Sequence, residues 1–210
     1  MKKLIVLILL LTNTFIFGQK NKKASKTKAE ISNIIANTED LVAEIIKGNL
    51  YTFRVDGKSK KDTLLLKNLT GTPLPTDCVI KKFTANQTPL YLITWKEISK
   101  IETNTKKEEV TNSCSQIWNP KQKLKVFDNE QKSTKIKEQV FLDKLKTASE
   151  TQERTRNEGY TLTLLPNGDF TLKNKLVETK YVLNPTLMKF EVPVKVIPPV
   201  STPKTTKKRK

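Results

Sequence analysis

The stretch YTLTLLPNGDFTL, Tyr160 to Leu172, decides how the chain folds. Two apolar-and-threonine runs of period two flank Pro166-Asn167-Gly168, the signature of a β-hairpin. If Asn167 and Gly168 alone formed the turn, Leu162 would face Lys173 and Leu164 would face Thr171. A three-residue loop, Pro166 to Gly168 with Gly168 left-handed, instead pairs Leu164 with Phe170 and Leu162 with Leu172. The threonines then share the other face. This second register accounts for every side chain and predicts an antiparallel, β-rich protein. Asn167-Gly168-Asp169 lacks the ligand repeat of a calcium loop and reads as a plain turn.

Working outward, the same alternation recurs. Tyr51, Phe53 and Val55 alternate with polar residues ahead of Asp56-Gly57, and Leu64 to Leu69, Cys78 to Phe83 and Leu90 to Trp95 are further strand candidates. The run LYLITW (90–95) is apolar on both faces, as a central buried strand requires. Gly71-Thr72-Pro73-Leu74-Pro75 and Asn86-Gln87-Thr88-Pro89 carry loop chemistry. Leu124-Lys125-Val126 predicts a short strand. Met188 to Val196 predicts a last one, at a sheet edge because Pro193 has no N–H to donate.

Two segments read as helices. Between Ala29 and Lys47, Ile31, Ile34, Ile35, Leu41, Val42, Ile45 and Ile46 recur at three- and four-residue steps, with Gly48 as terminator. Near 135–150, Ile136, Val140, Phe141, Leu145 and Ala148 allow a second helix, although QVFL (139–142) also reads as a strand. The expected fold class is therefore α+β, mainly β. An N-terminal amphipathic helix precedes an antiparallel β-meander, sandwich or partial barrel, with a possible second helix near 135–150.

The N-terminus reads as an address. Met1-Lys2-Lys3 is a basic start, residues 4–17 are apolar except for Thr12, Asn13 and Thr14, and a Lys-rich stretch follows Gly18. That is the layout of a secretory signal peptide over residues 1–18. The expected organisation is then a basic flexible segment (19–28), one β-rich domain (29–200) and a basic disordered tail (201–210). The expected location is the periplasm, the outer envelope or the medium. The apolar run falls short of the roughly 20 residues of a membrane span, and no later segment supplies one.

Composition restricts the chemistry. The 210 residues include no histidine, which excludes Ser-His-Asp triads, Cys-His dyads and His-ligated metal sites. No phosphate-binding glycine loop or hydrolase elbow is present, and no cofactor or metal is expected. Neighbouring acids such as Glu39-Asp40, Glu108-Glu109 and Asp128/Glu130 read as solvated faces. Trp95, Trp118 and Tyr91 read as core, with a ligand cleft as the alternative. Cys78 and Cys114 are an even pair in an exported chain and predict a disulfide; their spacing is far wider than that of a redox pair.

The formal charge is +18, from 39 Lys+Arg and 21 Asp+Glu. Lysine outnumbers arginine 35 to 4, as an AT-rich coding sequence gives without selection, but that bias does not explain where the charge sits. Lys2 and Lys3 leave with the signal peptide. Lys20, Lys22, Lys23, Lys26 and Lys28 precede the first acid, and Lys204, Lys207, Lys208, Arg209 and Lys210 close the chain, leaving +6 for the body. Lys20, Lys22, Lys23 and the five C-terminal cations are the candidate contacts to anionic envelope polymers or lipid head groups. No aromatic interleaves them, so specific nucleic-acid binding is not expected.

Three functional classes follow. The leading expectation is a non-enzymatic exported envelope protein touching anionic surfaces through its basic ends. A small-ligand, lipocalin-like barrel would require an enclosed cavity. A carboxylate-dependent glycan hydrolase would require two acids facing each other across a cleft.

Overall fold

The computed structural model of the chain describes residues 33–57 and 59–193. Thirteen antiparallel strands follow one another: β1 (Asn33–Asn37), β2 (Leu41–Ile46), β3 (Asn49–Asp56), β4 (Ser59–Asn68), β5 (Thr76–Ala85), β6 (Thr88–Glu102), β7 (Lys106–Asn119), β8 (Leu124–Phe141), β9 (Ser149–Gly159), β10 (Thr161–Leu164), β11 (Phe170–Lys173), β12 (Glu178–Asn184) and β13 (Lys189–Glu191). Each strand pairs only with its neighbours in sequence. They form three open sheets, β1–β4, β5–β9 and β10–β13, and no closed barrel.

The layering follows from the two-faced run in β6. Alternate residues of a strand point to opposite faces. Tyr91, Ile93 and Trp95 join Leu41, Ala43, Leu50, Leu64 and Leu66 of the first sheet in one core. Leu90 and Leu92 join Ile117, Phe170, Leu172, Leu183 and Phe190 in a second core against the third sheet. The first half of the middle sheet is thus covered on both faces. Leu90 and Ile93 are wholly buried, and each such side chain contributes about 1.5–3 kcal/mol. The second core is aromatic: Phe170 lies 4.5 Å from Phe127, 4.7 Å from Phe190 and 5.2 Å from Tyr181, centroid to centroid.

Beyond Trp95 the cover ends. The later part of β6, the start of β7, the end of β8 and all of β9 continue as a single-layer blade, and β9 is exposed at every residue. Ion pairs line it: Lys100–Glu109 at 3.3 Å, Lys137–Glu153 at 2.7 Å, Arg154–Glu138 at 3.2 Å, and Lys107–Glu102. Cross-strand pairs of this kind contribute about 0.2–1 kcal/mol each. Ile136, opposite Glu108 on β7 and Arg154 on β9, stays buried.

The hairpin forms in the expected register, Leu164 opposite Phe170 and Leu162 opposite Leu172. Leu165 N–H donates to Asp169 O at 2.8 Å, closing the three-residue loop, and Gly168 is left-handed at φ 85°. A Cβ on Gly168 would lie 2.0 Å from Thr84 O and 2.6 Å from the Ala85 Cα. The loop thus docks directly on the backbone of β5.

Neither helix forms among the described residues; those before Asn33 lie outside them. Residues 33–46 make two strands around a turn at Thr38, whose hydroxyl accepts from Leu41 N–H at 3.0 Å. Of the doublets Ile34-Ile35, Leu41-Val42 and Ile45-Ile46, only Leu41 is buried; Ile35, Val42, Ile45 and Ile46 are partly covered and Ile34 is exposed. The turn and a bulge after Ile34 space them so that they imitate a helical stripe. Lys47 and Gly48, both at positive φ, form the two-residue turn into β3. The 135–150 segment is likewise β8, a turn at 142–148 and β9, because backbone pairing with β7 and β9 outweighs the propensity of its lysines and glutamates.

Gly168→Ala adds a left-handed penalty to a backbone clash. Chemical denaturation of this variant is expected to show a loss of about 2–4 kcal/mol relative to the parent.

Candidate functional site

Where the covered half of the middle sheet gives way to the blade, a cleft of about 210 Å³ opens between β4 and strands β6–β8. Register builds it: Trp95, Cys114 and Glu130 form one cross-strand row, and Ile93, Gln116 and Asp128 the next. Lys67 from β4 reaches Glu97 at 2.8 and 2.9 Å, one contact to each carboxylate oxygen. Trp95 Nε1–H donates to Glu97 Oε1 at 2.9 Å, and the Cys114 thiol lies 4.0 Å from the same oxygen. Glu97 is only 2% exposed, and these partners satisfy its carboxylate oxygens. Burial opposes the Lys67 charge, but the Glu97 hydrogen bond and nearby carboxylates outweigh it and raise the ammonium pKa. Next along, Trp118 Nε1–H donates to Gln116 Oε1 at 2.9 Å, and Lys125 holds Asp128 at 2.6 Å.

The chemistry of this cleft is that of fixed ions and hydrogen bonds. Burial pushes the Cys114 thiol up to about 12, so it stays protonated at neutral pH and is a poor nucleophile. Glu97 and Asp128 each serve as counterion to a lysine.

A second hollow, about 270 Å³, lies beside the first sheet, with Asp40, Arg54, Lys82, Tyr91 and Lys121 among its walls. Tyr91 O–H donates to Asp40 Oδ2 at 2.6 Å, and Lys82 pairs with the same oxygen at 2.5 Å. Lys82 and then Tyr91 hold the Asp40 carboxyl below its ordinary range; burial and then Asp40 raise the Tyr91 phenol. A third hollow, about 520 Å³, runs along the blade between walls of both signs, such as Lys100, Glu109, Lys135 and Arg154.

The residues singled out by sequence distribute as follows. Lys20, Lys22, Lys23, Lys204, Lys207, Lys208, Arg209 and Lys210 lie outside the described residues, as does the 1–18 segment. Tyr91, Trp95 and Trp118 are core residues, each with its polar atom hydrogen-bonded, though Tyr91 and Trp95 also border the two hollows. Glu108 and Glu109 point to opposite faces of the blade. The expected disulfide is not formed: Cys78 and Cys114 are free thiols on β5 and β7. With β6 between them, two strand spacings hold their backbones about 10 Å apart, beyond the roughly 7 Å that a disulfide can bridge. The Lys67–Glu97 pair escaped the sequence reading because partners on β4 and β6 carry no local signal. Comparison with family models, with curated proteins and with solved structures finds no match to this chain.

Two measurements probe this region. Titration with a thiol reagent in denaturant, without reductant, is expected to release two thiols. In the native state Cys114 reacts far more slowly, because it is 5% exposed. Glu97→Ala leaves Lys67 and the Trp95 indole without their partner; denaturant melts are expected to show a loss of about 3–5 kcal/mol.

Proposed function

We propose that this is an exported, non-enzymatic protein of the cell envelope, held at anionic envelope surfaces by its basic ends. The observation that carries the reading is the placement of charge. Within the described body most carboxylates already hold a cation, from Asp40–Lys82 in the first sheet to Asp169–Lys180 in the third. In sequence, cations with no acidic neighbour cluster before Glu30 and after Glu191. The start of the chain, a basic cluster and then an apolar run, supports export. The ion-paired carboxylates and protonated thiol of the cleft favour binding over catalysis. The open sheets of the described residues favour this reading over the lipocalin-like alternative.

The test is retention on isolated envelopes of the chain spanning residues 19–210. Retention should fall steeply as salt screens the contacts. Near an anionic surface each cation contributes about 1 kcal/mol, so deleting residues 201–210, with five cations, should lower retention by well over tenfold. Retention that ignores both salt and the deletion overturns the reading.

A further inference from the structure

The blade ends in an apolar tip. At the β8–β9 turn, Phe141 is 36% exposed, Leu142 62% and Leu145 84%. The tip is built rather than loose. Asp143 accepts from Thr147 N–H at 2.8 Å and Ala148 N–H at 3.2 Å, and also from the Thr147 hydroxyl. Leu142 N–H donates to Ala148 O at 3.0 Å and Lys146 N–H to Asp143 O at 3.3 Å. These bonds hold a fixed loop whose leucines face solvent, so little ordering is needed on contact. They also turn the loop's one carboxylate onto its own backbone and hydroxyl donors.

The two lysines of the tip, like Lys132 and Lys135 on β8, lack the carboxylate partners that other lysines of the blade have. Lys100, Lys106, Lys107 and Lys137 each meet a carboxylate. Lys144 and Lys146 have no ion pair among the described residues, and Lys146 Nζ instead lies 5.4 Å from the centre of the Phe141 ring. Outward leucines flanked by uncompensated cations match an anionic bilayer: apolar side chains enter below the head groups while ammonium groups meet the phosphates. A protein groove lined with apolar residues would take the leucines but gives no role to the lysines.

We propose that the 141–146 tip is a membrane-contact wedge, inserting Leu142 and Leu145 into an anionic bilayer with Lys144 and Lys146 at its phosphate plane. This goes beyond retention by the basic ends, because it assigns a contact to the folded body and one that enters the hydrocarbon. It also gives the blade a use, since the strands carry the tip away from the two cores.

The test uses residues 19–210 carrying Leu145→Trp, with vesicles containing phosphatidylglycerol and vesicles of phosphatidylcholine alone. Trp95 and Trp118 are buried and give a constant background. With the anionic vesicles the new indole is expected to shift to the blue and be quenched by lipids brominated on their acyl chains. Without the tryptophan, Leu142→Ser with Leu145→Ser should lower partitioning at least tenfold while leaving salt-sensitive envelope retention in place. Leu176→Ser, an equally exposed leucine in the β11–β12 turn, should change nothing. Deleting residues 201–210 should leave the acyl-chain quenching in place even where total binding falls. No shift or quenching on anionic vesicles, equal quenching on phosphatidylcholine, or equal loss with Leu176→Ser overturns the proposal. So does vesicle binding that the double serine variant leaves intact, which would assign the contact to the basic ends.

Discussion

The whole arrangement depends on burying both faces of one strand segment, Leu90 to Trp95. A strand that is apolar on one face needs one partner layer; this one needs two. The first sheet meets Tyr91, Ile93 and Trp95, and the third meets Leu90 and Leu92. The Gly168 loop on the β5 backbone and the Phe170 aromatic cluster then fix where the third sheet sits. Since all pairing is between neighbours in sequence, the two outer sheets are held to the middle one mainly by side chains. Loss of packing at β6 would therefore release both layers together.

Glu97 marks the limit of that packing. It lies on the same face as Trp95, one position further along, where the first sheet supplies Lys67 instead of another leucine. A carboxylate so deeply buried is costly unless paired, and the pairing fixes β4 against β6 at the edge of the core. Past it, apart from buried Ile136 and Thr134, the sheet has its backbone ladder and surface ion pairs, each worth little singly. The blade is the part with least burial to resist opening. Its last strand, with Glu150, Glu153, Arg154, Arg156 and Glu158 along an unpaired edge, carries charges that discourage edge-to-edge growth.

Sequence revealed the elements whose burial is one-sided or complete. The 160–172 hairpin was legible down to its register because leucines alternating with threonines leave one consistent pairing. The Leu90–Trp95 run was legible as central because nothing polar interrupts it before Thr94. Residues 33–46 misled because two short strands, a bulge and a Thr38 turn place apolar doublets at helical intervals. Strands β7 and β9 left no hydrophobic trace where they form the blade, and their pattern there is one of charge. Nor was the cleft visible, since Lys67 and Glu97 meet only once two sheets have packed. The exposed tip gave the opposite error: Phe141 and Leu145 suggested the buried side of a helix, yet they face outward.

The absent histidine has a consequence for how such a surface is regulated. Every resolved pKa shift among the described residues moves its group further from neutrality. Lysines and hydrogen-bond donors lower the carboxylates of Asp40, Asp56, Asp62, Glu108, Asp143 and Glu153. Carboxylates raise Lys67 and Lys82, and burial raises Tyr91 and both thiols, Cys78 to about 11. A carboxylate lowered in the folded state adds stability above its unfolded pKa and loses it only in acid. A raised lysine keeps its contribution until the pH passes its own alkaline pKa. None of these shifts moves its group toward neutrality, and salt screens the exposed ion pairs far more than the buried Lys67–Glu97 pair.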